Sequence, residues 1–418
     1  MRQILLFALL AVTAAAAAGA EDGLLRRARS GDVVSQLKAA DEFMFGKNGR
    51  KVNLQLALHW FRQAALQNSG AGQFNLAMCY QRGWGGKVRR AAAFYYFRKA
   101  MNNGIAPAAA QYAMMLFHGV AAESDPEGEF PEVKADPDTA LKILRQVAPH
   151  DRAGELFLAK YLFQHAEKHA PELLQLLQRH VQRPDADPEM LVLYAAFLRS
   201  GAGGVMDPHL AAQILERAAA MRHPEAMAQF AELLHQGFGV KTDHVRADKL
   251  IDDAIKLHSP RALVWRGNEY LNGLYREQDP HRAVEFFTLA AQQHYPPALR
   301  QLGLCYVSGA GVERDEKRAL RYFLQAAGKG DAPGQFQAAE CFRHGIGTAK
   351  NYHAAYYWYR RAAENGDAGA MRETGLALLA GRGIEKDPAQ GEKWLRRAAL
   401  CSDPAAQQAL QVNGEASF

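Results

Sequence analysis

Apolar residues recur along most of the chain at intervals of three and four, and short polar turns separate the apolar runs. Two such runs follow each other between residues 298 and 327. The first stripe consists of Ala298, Leu302, Gly303 and Tyr306, and the second of Ala319, Tyr322, Ala326 and Ala327. Spacing of this kind places the apolar side chains on one face of a helix. The pattern therefore predicts amphipathic helices that pack in pairs.

The helix pairs repeat with a period of 36 residues, and this is clearest after Gly273. An aromatic residue, a pair of alanines and a glycine return in each period. They are Phe286, Tyr322, Trp358 and Trp394; the Ala-Ala pairs at 290/291, 326/327, 362/363 and 398/399; and Gly273, Gly309, Gly345 and Gly381. A fixed period of this length indicates a stacked array of repeats. We expect the four aromatic side chains to pack in its core, rather than to form a stacking platform for a ligand.

Polar and special residues between the stripes predict where the helices begin and end. A residue that can cap a helix start returns every 36 positions: Asp207, Asp243, Asp279, Asp315, Asn351 and Asp387. Such a side chain accepts from free backbone N–H groups and stabilises the helix by about 1 kcal/mol. The glycines that follow the first helices suit a positive φ. Ten helix pairs result, with first helices beginning near 32, 70, 106, 152, 188, 224, 260, 296, 332 and 368.

Three stretches fit a known repeat line: "ALRQLGLCYVSGAGVERD" at 298–315, "ALHWFRQAA" at 57–65 and "AYYWYRRAAENG" at 355–366. In these stretches the chain resembles the Sel-one-like repeat, a branch of the tetratricopeptide-like solenoids. The resemblance implies an all-α, right-handed α/α superhelical solenoid whose first helices line the concave side. It also implies a scaffold that binds other proteins, because exported members of the family typically serve envelope assembly, secretion or signalling.

The residues outside the array predict export. Arg2, the apolar run from Ile4 to Val12 and the small residues Ala18-Gly19-Ala20 form a signal peptide over residues 1–20. Residues 21–31 are predicted to be an N-terminal capping helix, 32–403 the ten repeats, and 404–418 a C-terminal cap and tail. No N-x-Ser/Thr acceptor occurs, which favours the periplasm over a eukaryotic lumen, although full secretion remains open. We expect no transmembrane segment and no lipid anchor.

Two repeats depart from the pattern. The third carries an insertion at 120–136 with six acidic residues and one Lys, which predicts a protruding, solvated loop. This loop is either a tolerated insertion or a hook for a partner. In the fourth repeat His165 stands where the glycine of the turn is expected.

Charge and cysteine content narrow the function further. Without Arg2 the 50 basic side chains become 49, against 44 acidic ones, a net charge of +5 that is spread along the sequence. This gives no argument for nucleic acid.

Cys79, Cys305 and Cys341 share one repeat position. Neighbouring helix axes lie roughly 8–10 Å apart, beyond the approximately 7 Å limit for a disulfide, so we expect free, semi-buried thiols. Cys401 has no partner at a suitable spacing.

Candidate catalytic and ligand-binding motifs are weak. Ser35 and Lys38 match the S-x-x-K of penicillin-recognising enzymes, but the companion motifs are absent, and an exposed helix face is expected instead. His165 and His169 lack the glutamate position of a zinc protease, and no Cys/His cluster has the spacing of a metal site. The Gly309-Ala310-Gly311 turn lacks the lysine of a phosphate loop. We therefore predict no catalytic residues, no metal and no cofactor.

The predicted function is an exported, non-catalytic scaffold that binds a protein or peptide on its concave face. If the first helices line that face, its polar positions are Glu232, His235, Asn268, Arg300, Glu340, Arg343, His344 and Arg372. Two alternatives stay open. One is a secreted protein that binds a host or extracellular target. The other, which the resemblance to disulfide-rich relatives suggests, is a weak β-lactam-binding or β-lactam-hydrolysing enzyme.

Overall fold

A computed structural model describes residues 23–125 and 128–415. The predicted signal peptide at 1–20 and the last residues of the predicted tail lie outside the described residues. The described chain is a helical-repeat solenoid, as predicted, and comprises two compact units, the first ending at Val205 and the second beginning at Met206.

The first unit contains ten described α-helices, one 3₁₀ helix (Ala202–Gly204) and one short hairpin. They are α1 (Gly23–Arg29), α2 (Val33–Phe45), α3 (Leu54–Leu66), α4 (Gly70–Arg82), α5 (Arg90–Asn102), α6 (Ala106–His118), β1 (Glu123–Asp125), β2 (Gly128–Phe130), α7 (Pro137–Val147), α8 (Arg152–Gln164), α9 (Ala166–Val181) and α10 (Pro188–Ser200).

The second unit contains twelve described helices. They are α11 (Pro208–Ala220), α12 (Pro224–Gln236), α13 (His244–Lys256), α14 (Pro260–Asn272), α15 (Pro280–Gln292), α16 (Pro296–Ser308), α17 (Glu316–Gly328), α18 (Ala332–His344), α19 (Tyr352–Glu364), α20 (Ala368–Ala380), α21 (Pro388–Leu400) and α22 (Pro404–Glu415).

The helix ends are confirmed at the capping residues from which they were predicted. The side chain of Asp315 accepts a hydrogen bond from the backbone N–H of Arg318 at 2.9 Å, and Asn351 accepts from Ala354 at 3.0 Å. The other four predicted caps of the period do the same. The glycines that end α12, α14, α16, α18 and α20 are left-handed, with φ of 78° at Gly309. Local chemistry therefore sets the boundaries of the helices.

The two helices of a pair touch where a small residue meets a ring. Gly303 of α16 lies against Phe323 of α17, and an added Cβ would stand 2.5 Å from a ring carbon. Gly267 meets Phe287 of α15 in the same way. Phe287 and Phe323 are 0% and 1% exposed. This contact requires glycine because the ring occupies the space of a side chain.

The four aromatic residues that were predicted to pack in the core each stand one position before a buried residue. Tyr322 contacts the core but is half-buried, and its ring stacks on Tyr306 at 5.7 Å between centroids. Phe286 stacks on Tyr270 at 5.8 Å in the same manner. The four aromatic side chains therefore pack against the core, as predicted, although they are themselves only half-buried. One residue turns a helix by about 100°, which moves the side chain from the interior to its edge.

In several turns a second glycine joins one repeat to the one before it. An added Cβ at Gly311 would stand 2.1 Å from the carbonyl oxygen of Pro280, which begins the preceding second helix. Gly239, Gly347 and Gly383 meet the corresponding carbonyls at similar distances. Successive repeats thus stack through backbone contact.

The insertion at 120–136, predicted to be a protruding, solvated loop, contains a short hairpin whose end contacts the helices. β1 and β2 form a short antiparallel hairpin, and Val120 pairs with Val133 at its base. Phe130 folds back onto α5, where it is 9% exposed and its ring lies 5.6 Å from that of Tyr95. One apolar side chain in the acidic segment is enough to hold its end against the helices.

The fourth repeat has no turn between its helices. α8 ends at Gln164, His165 is the single linking residue, and α9 begins at Ala166 rather than near 170 as the sequence suggested. α9 is 16 residues long and contains Pro171. Without a glycine at the junction, the second helix starts at once and becomes longer than its siblings.

A buried charged cluster replaces apolar core at the junction of α13 and α14. Arg266 and Glu269 are each 2% exposed, whereas the residues 36 positions later are Leu302 and Cys305. The guanidinium of Arg266 donates to Glu269 at 2.9 Å and to Asp248 at 2.8 Å. Pairing of this kind is what permits burial of charge.

An aromatic lid covers this cluster. Tyr275 occupies the position of the second turn glycine and adopts a φ of 63°. Its ring lies 4.7 Å from that of His235, which is buried and also stacks on Trp265 at 5.3 Å. The Nδ1 atoms of His235 and His244 lie 3.0 Å apart, so one of them donates and the other accepts.

Burial is the main cause that lowers the pKa of His235, and the positive form of His244 adds to it. Glu269 experiences the opposite effect, since burial raises the pKa of its carboxyl. His235 also faces Asp248 and Arg266, which act on its pKa in opposite directions. The cluster therefore favours neutral His235 at neutral pH.

Substitution of Gly303 tests the glycine-ring contact. Gly303→Leu is expected to lower the free energy of unfolding by about 1–3 kcal/mol, because the side chain would overlap Phe323. The control is Gly328→Leu at the end of α17, where an added Cβ meets nothing within 4 Å. Urea unfolding followed by circular dichroism measures both. Equal stability of the Gly303 variant and the wild type would contradict the contact.

Acidification tests the buried histidine. A histidine whose native pKa is depressed binds fewer protons when folded than when unfolded, so its contribution to stability is complete above about pH 6.5 and is lost below it. His235→Leu, which copies Leu271 one period later, is expected to reduce the rise in unfolding free energy that occurs as the pH increases toward about 6.5. His281→Leu, at an exposed site, is the control. An unchanged pH slope in the His235 variant would count against this account.

Candidate functional site

The first helices of the second unit form a continuous row. α12 approaches α14, α14 approaches α16, and α16 approaches α18, each across one repeat. We call this surface the first-helix row. It is the surface on which the sequence placed the candidate binding residues.

Polar side chains of the row bridge neighbouring repeats. Arg300 of α16 pairs with Asp331, the residue that caps α18, at 3.0 Å. Arg343 pairs with Glu373 of α20 at 2.7 Å. The same kind of bridge occurs in three further places: Arg261–Glu232 at 3.1 Å, Gln301–Asn268 at 2.6 Å and Arg372–Asp403 at 2.7 Å. Each bridge joins residues about one period apart, so we call the set the inter-repeat ladder.

The structure places seven of the eight candidate residues at the surface of the row and one inside it. Glu232, Asn268, Arg300, Glu340, Arg343 and Arg372 are half-buried, and His344 is exposed. His235 is buried beneath Tyr275 and Trp265 and so differs from the other seven. The ladder also uses Arg261, which sequence reasoning missed. Its spacing of 29 residues from Glu232 on the preceding first helix is the signal that could have revealed it.

The ladder has strong internal electrostatics. Burial acts to lower the pKa of Arg261, but Glu232 and Glu225 outweigh it and hold the pKa above its usual value. Burial likewise opposes the charge of Arg343, and Tyr359 and Glu340 more than compensate, which raises its pKa. These groups stay charged over the whole physiological range, so the ladder presents fixed charges at fixed positions.

A cavity of about 210 Å³ opens beside the Arg343–Glu373 bridge, between α18, α19 and α20. Its walls are part charged and part apolar. The lining residues are Arg343, Tyr352, Ala355, Tyr356, Tyr359, Glu373, Leu376, Ala377 and Arg382. The hydroxyl of Tyr359 donates to Glu340, and Leu376 remains 37% exposed at the rim. The volume is below that of a typical small-molecule pocket and suits one side chain of a partner.

The candidate catalytic pair is not assembled. Ser35 is 4% exposed, and its hydroxyl accepts a hydrogen bond from Arg27 at 3.3 Å, whereas Lys38 is exposed to solvent. The expectation that both lie on an exposed helix face is therefore wrong for Ser35. The side-chain partners of Ser35 are Arg27 and Asp32 rather than Lys38.

The histidine pair shows no sign of a metal site. His165 and His169 lie 3.9 Å and 3.8 Å from the carboxylates of Glu167 and Glu172, respectively. Within residues 23–125 and 128–415, no group of three or more potential metal-binding side chains comes together.

The cysteines are unpaired, as predicted, and three of them are more deeply buried than expected. Cys79, Cys305 and Cys341 are 1%, 1% and 2% exposed, and Cys401 is exposed. Burial raises the pKa of Cys79 to about 12 and those of Cys305 and Cys341 to about 11. These three thiols are therefore protonated at neutral pH and act as core residues.

Comparison with known families identifies the repeats. The family model described as Sel1 repeat matches residues 33–69, 70–105, 106–146, 188–223, 224–247, 260–295, 296–331, 332–367 and 368–403. The largest gap, 147–187, spans α8 and α9, the pair that lacks the glycine turn. Comparison with curated protein sequences gives no match.

Several solved structures are similar to the chain. A protective antigen of uropathogenic Escherichia coli with an SLR fold is 21% identical, with a TM-score of 0.47 over 94% of this chain and 90% of that one. A Sel1 repeat protein from Oxalobacter formigenes is 26% identical, with a TM-score of 0.44 over 58% and 96%. An immunity protein from Pseudomonas aeruginosa is 20% identical, with a TM-score of 0.42 over 54% and 85%.

Among the described helices, none is both long enough and apolar enough to span a bilayer. The Sel1 repeat match covers well over half of the sequence and follows the helix pairs seen in the structure. The chain belongs to the Sel1 repeat family.

Proposed function

We propose that this protein is an exported, non-catalytic scaffold that holds a partner protein or peptide on the first-helix row of its second unit. The chain belongs to the Sel1 repeat family, whose members are generally protein-interaction scaffolds without catalytic activity. The observation that carries the proposal is the cavity beside Arg343 and Glu373, set in a row of fixed charges.

The row suits a partner that is itself extended. Its bridges, most of them charged, recur once per repeat, so an extended segment can meet one bridge after another along the stack. The bridges hold the long Arg side chains in place before binding, which reduces the conformational entropy lost on association. Half-buried residues of the ladder vary between repeats, and this variation gives each step its own chemistry.

An apolar anchor at the cavity supplies affinity. Leu376 is at its rim, and the rings of Tyr352 and Tyr356 line it. Partly exposed aromatic and aliphatic side chains beside fixed charges are typical of the centre of a protein interface. The partner side chain is expected to combine an apolar body with a polar end that reaches the Arg343–Glu373 bridge.

The site of action is proposed to be the bacterial periplasm. Residues 1–20 have the composition of a signal peptide, and a role in envelope assembly, secretion or signalling follows from the resemblance to exported family members. Secretion to bind an extracellular target is the alternative. Recovery of the protein from the culture medium, and not from the envelope fraction, would favour it.

A pair of leucine substitutions tests the binding surface. Leu376→Arg places a charge at the rim of the cavity and is expected to abolish capture of the partner from an envelope extract by chemical cross-linking. Leu289→Arg, at a leucine of α15 that is 49% exposed, is the matched control and is expected to retain it. Thermal unfolding confirms that both variants fold. Recovery of the same partners by both would remove this cavity from the proposal.

Processing of the precursor tests export separately. Cleavage after Ala20 gives a mature chain that begins at Glu21, which intact-mass spectrometry measures. Ala20→Arg is expected to block cleavage, because the site requires a small residue, and Ala14→Val is expected to be processed normally. A mature protein that still carries residues 1–20 would disprove the signal peptide and leave the binding proposal intact.

A further inference from the structure

The outward faces of three second helices in the second unit carry most of the net charge of the chain. α17, α19 and α21 contain eight basic and three acidic side chains, a net of +5, compared with +6 for the whole sequence. The eight basic residues are all exposed: Lys317, Arg318, Arg321, Arg360, Arg361, Lys393, Arg396 and Arg397. The expectation that the positive charge is spread evenly is therefore wrong. We call this set the basic stripe.

Some members of the basic stripe already have partners and others do not. Arg360 pairs with Glu364 at 2.9 Å, and Arg396 pairs with Glu392 at 2.5 Å. In contrast, Arg321, Lys393 and Arg397 make no ion pair with any residue that the structure describes. Their charge is available to a ligand.

Aromatic rings hold several of these guanidinium groups in place. The guanidinium carbon of Arg397 lies 4.9 Å from the centroid of the Trp394 ring, and that of Arg318 lies 5.6 Å from Tyr306. Contact with a ring uses the flat side of the Arg397 guanidinium, and its N–H donors remain at the edge, where they match the two oxygens of a carboxylate. Arg318, in contrast, already pairs with Asp315 at 3.2 Å. The stripe is thus partly organised before a ligand arrives.

Two shallow cavities lie along the stripe, and no carboxylate lines either of them. One, of about 440 Å³ between α19 and α21, is lined by Arg360, Gln390, Lys393, Trp394, Arg396 and Arg397. The other, of about 300 Å³ on α17, is lined by Tyr306, Arg318, Arg321, Tyr322 and Gln325. Tyr322 and Trp394 occupy the same repeat position two periods apart, so the arrangement returns along the stack.

We propose that the basic stripe is a second interaction surface, separate from the first-helix row, that binds an acidic peptide segment of a partner protein. Charge complementarity determines the class of ligand. A carboxylate-rich segment needs only the N–H edges of Arg groups, and those of Arg321 and Arg397 have no ion-pair partner among the described residues. A single-stranded nucleic acid also needs open ring faces for its bases. Arg397 covers a face of Trp394, and Tyr306 stacks on Tyr322. The geometry therefore favours the acidic peptide.

Fluorescence anisotropy with the purified chain tests this surface without any knowledge of the natural partner. The probe is a labelled peptide of alternating Glu and Ser, long enough to span the three helices, and the comparison probe replaces Glu by Gln. The acidic probe is expected to bind, and its binding is expected to weaken steeply as salt is raised, since exposed charges are screened. The Gln probe is expected not to bind.

A pair of triple variants locates the binding. Arg321→Glu with Lys393→Glu and Arg397→Glu is expected to weaken binding of the acidic probe by about tenfold or more. The control, Lys87→Glu with Lys142→Glu and Lys241→Glu, changes the net charge equally at exposed sites elsewhere and is expected to leave the affinity within about twofold. Circular dichroism and thermal unfolding confirm that both variants fold.

Three results would overturn the proposal: no binding of the acidic probe at low salt, equal loss of binding in both triple variants, or preferential binding of a single-stranded oligonucleotide of equal charge. The last would assign the stripe to nucleic acid. None of these results depends on Leu376 or on the signal peptide, so failure here leaves the first-helix row untouched.

Discussion

Close contact between backbone and neighbour, permitted by glycine, is the constraint on which the array depends. Within a pair, Gly303 allows the ring of Phe323 to lie directly against its helix. Between pairs, Gly311 allows its turn to lie against the carbonyl of Pro280. In these two repeats an added Cβ would overlap the ring at Gly303 and the carbonyl at Gly311. The helices can bury their apolar faces only because these contacts bring them close enough.

Features caused by nearby residues could be predicted from the sequence, and features caused by distant ones could not. The caps at Asp315 and Asn351 depend on groups three residues away, so they follow directly from the period. Burial was harder to assign, because neighbouring positions such as 286 and 287 are both aromatic and only one points inward. The cluster at Arg266 joins residues of two helices, and a single helix gives no sign of it.

The sequence predicted on which helices the candidate binding residues lie. It did not predict which of their side chains are already paired or buried. The resemblance to the family placed polar residues on the first helices, and the structure has them there. It could not show that Arg300 and Arg343 are already paired with carboxylates of the next repeat. Nor could it show that His235 is covered, since this depends on Tyr275 standing in a place that glycine fills elsewhere. The total numbers of basic and acidic residues in the sequence also gave no sign that positive charge clusters on α17, α19 and α21.

Repeats that share the same packing positions bring a hazard of their own, because a helix can pair with the wrong copy of its partner during folding. The buried charges between α13 and α14 oppose this error. Arg266 finds Asp248 and Asp252 only when these two helices are neighbours, and at any other junction it would lose its partners inside an apolar core. These buried ion pairs therefore mark one position in an otherwise periodic chain. They favour a single order of the repeats around it.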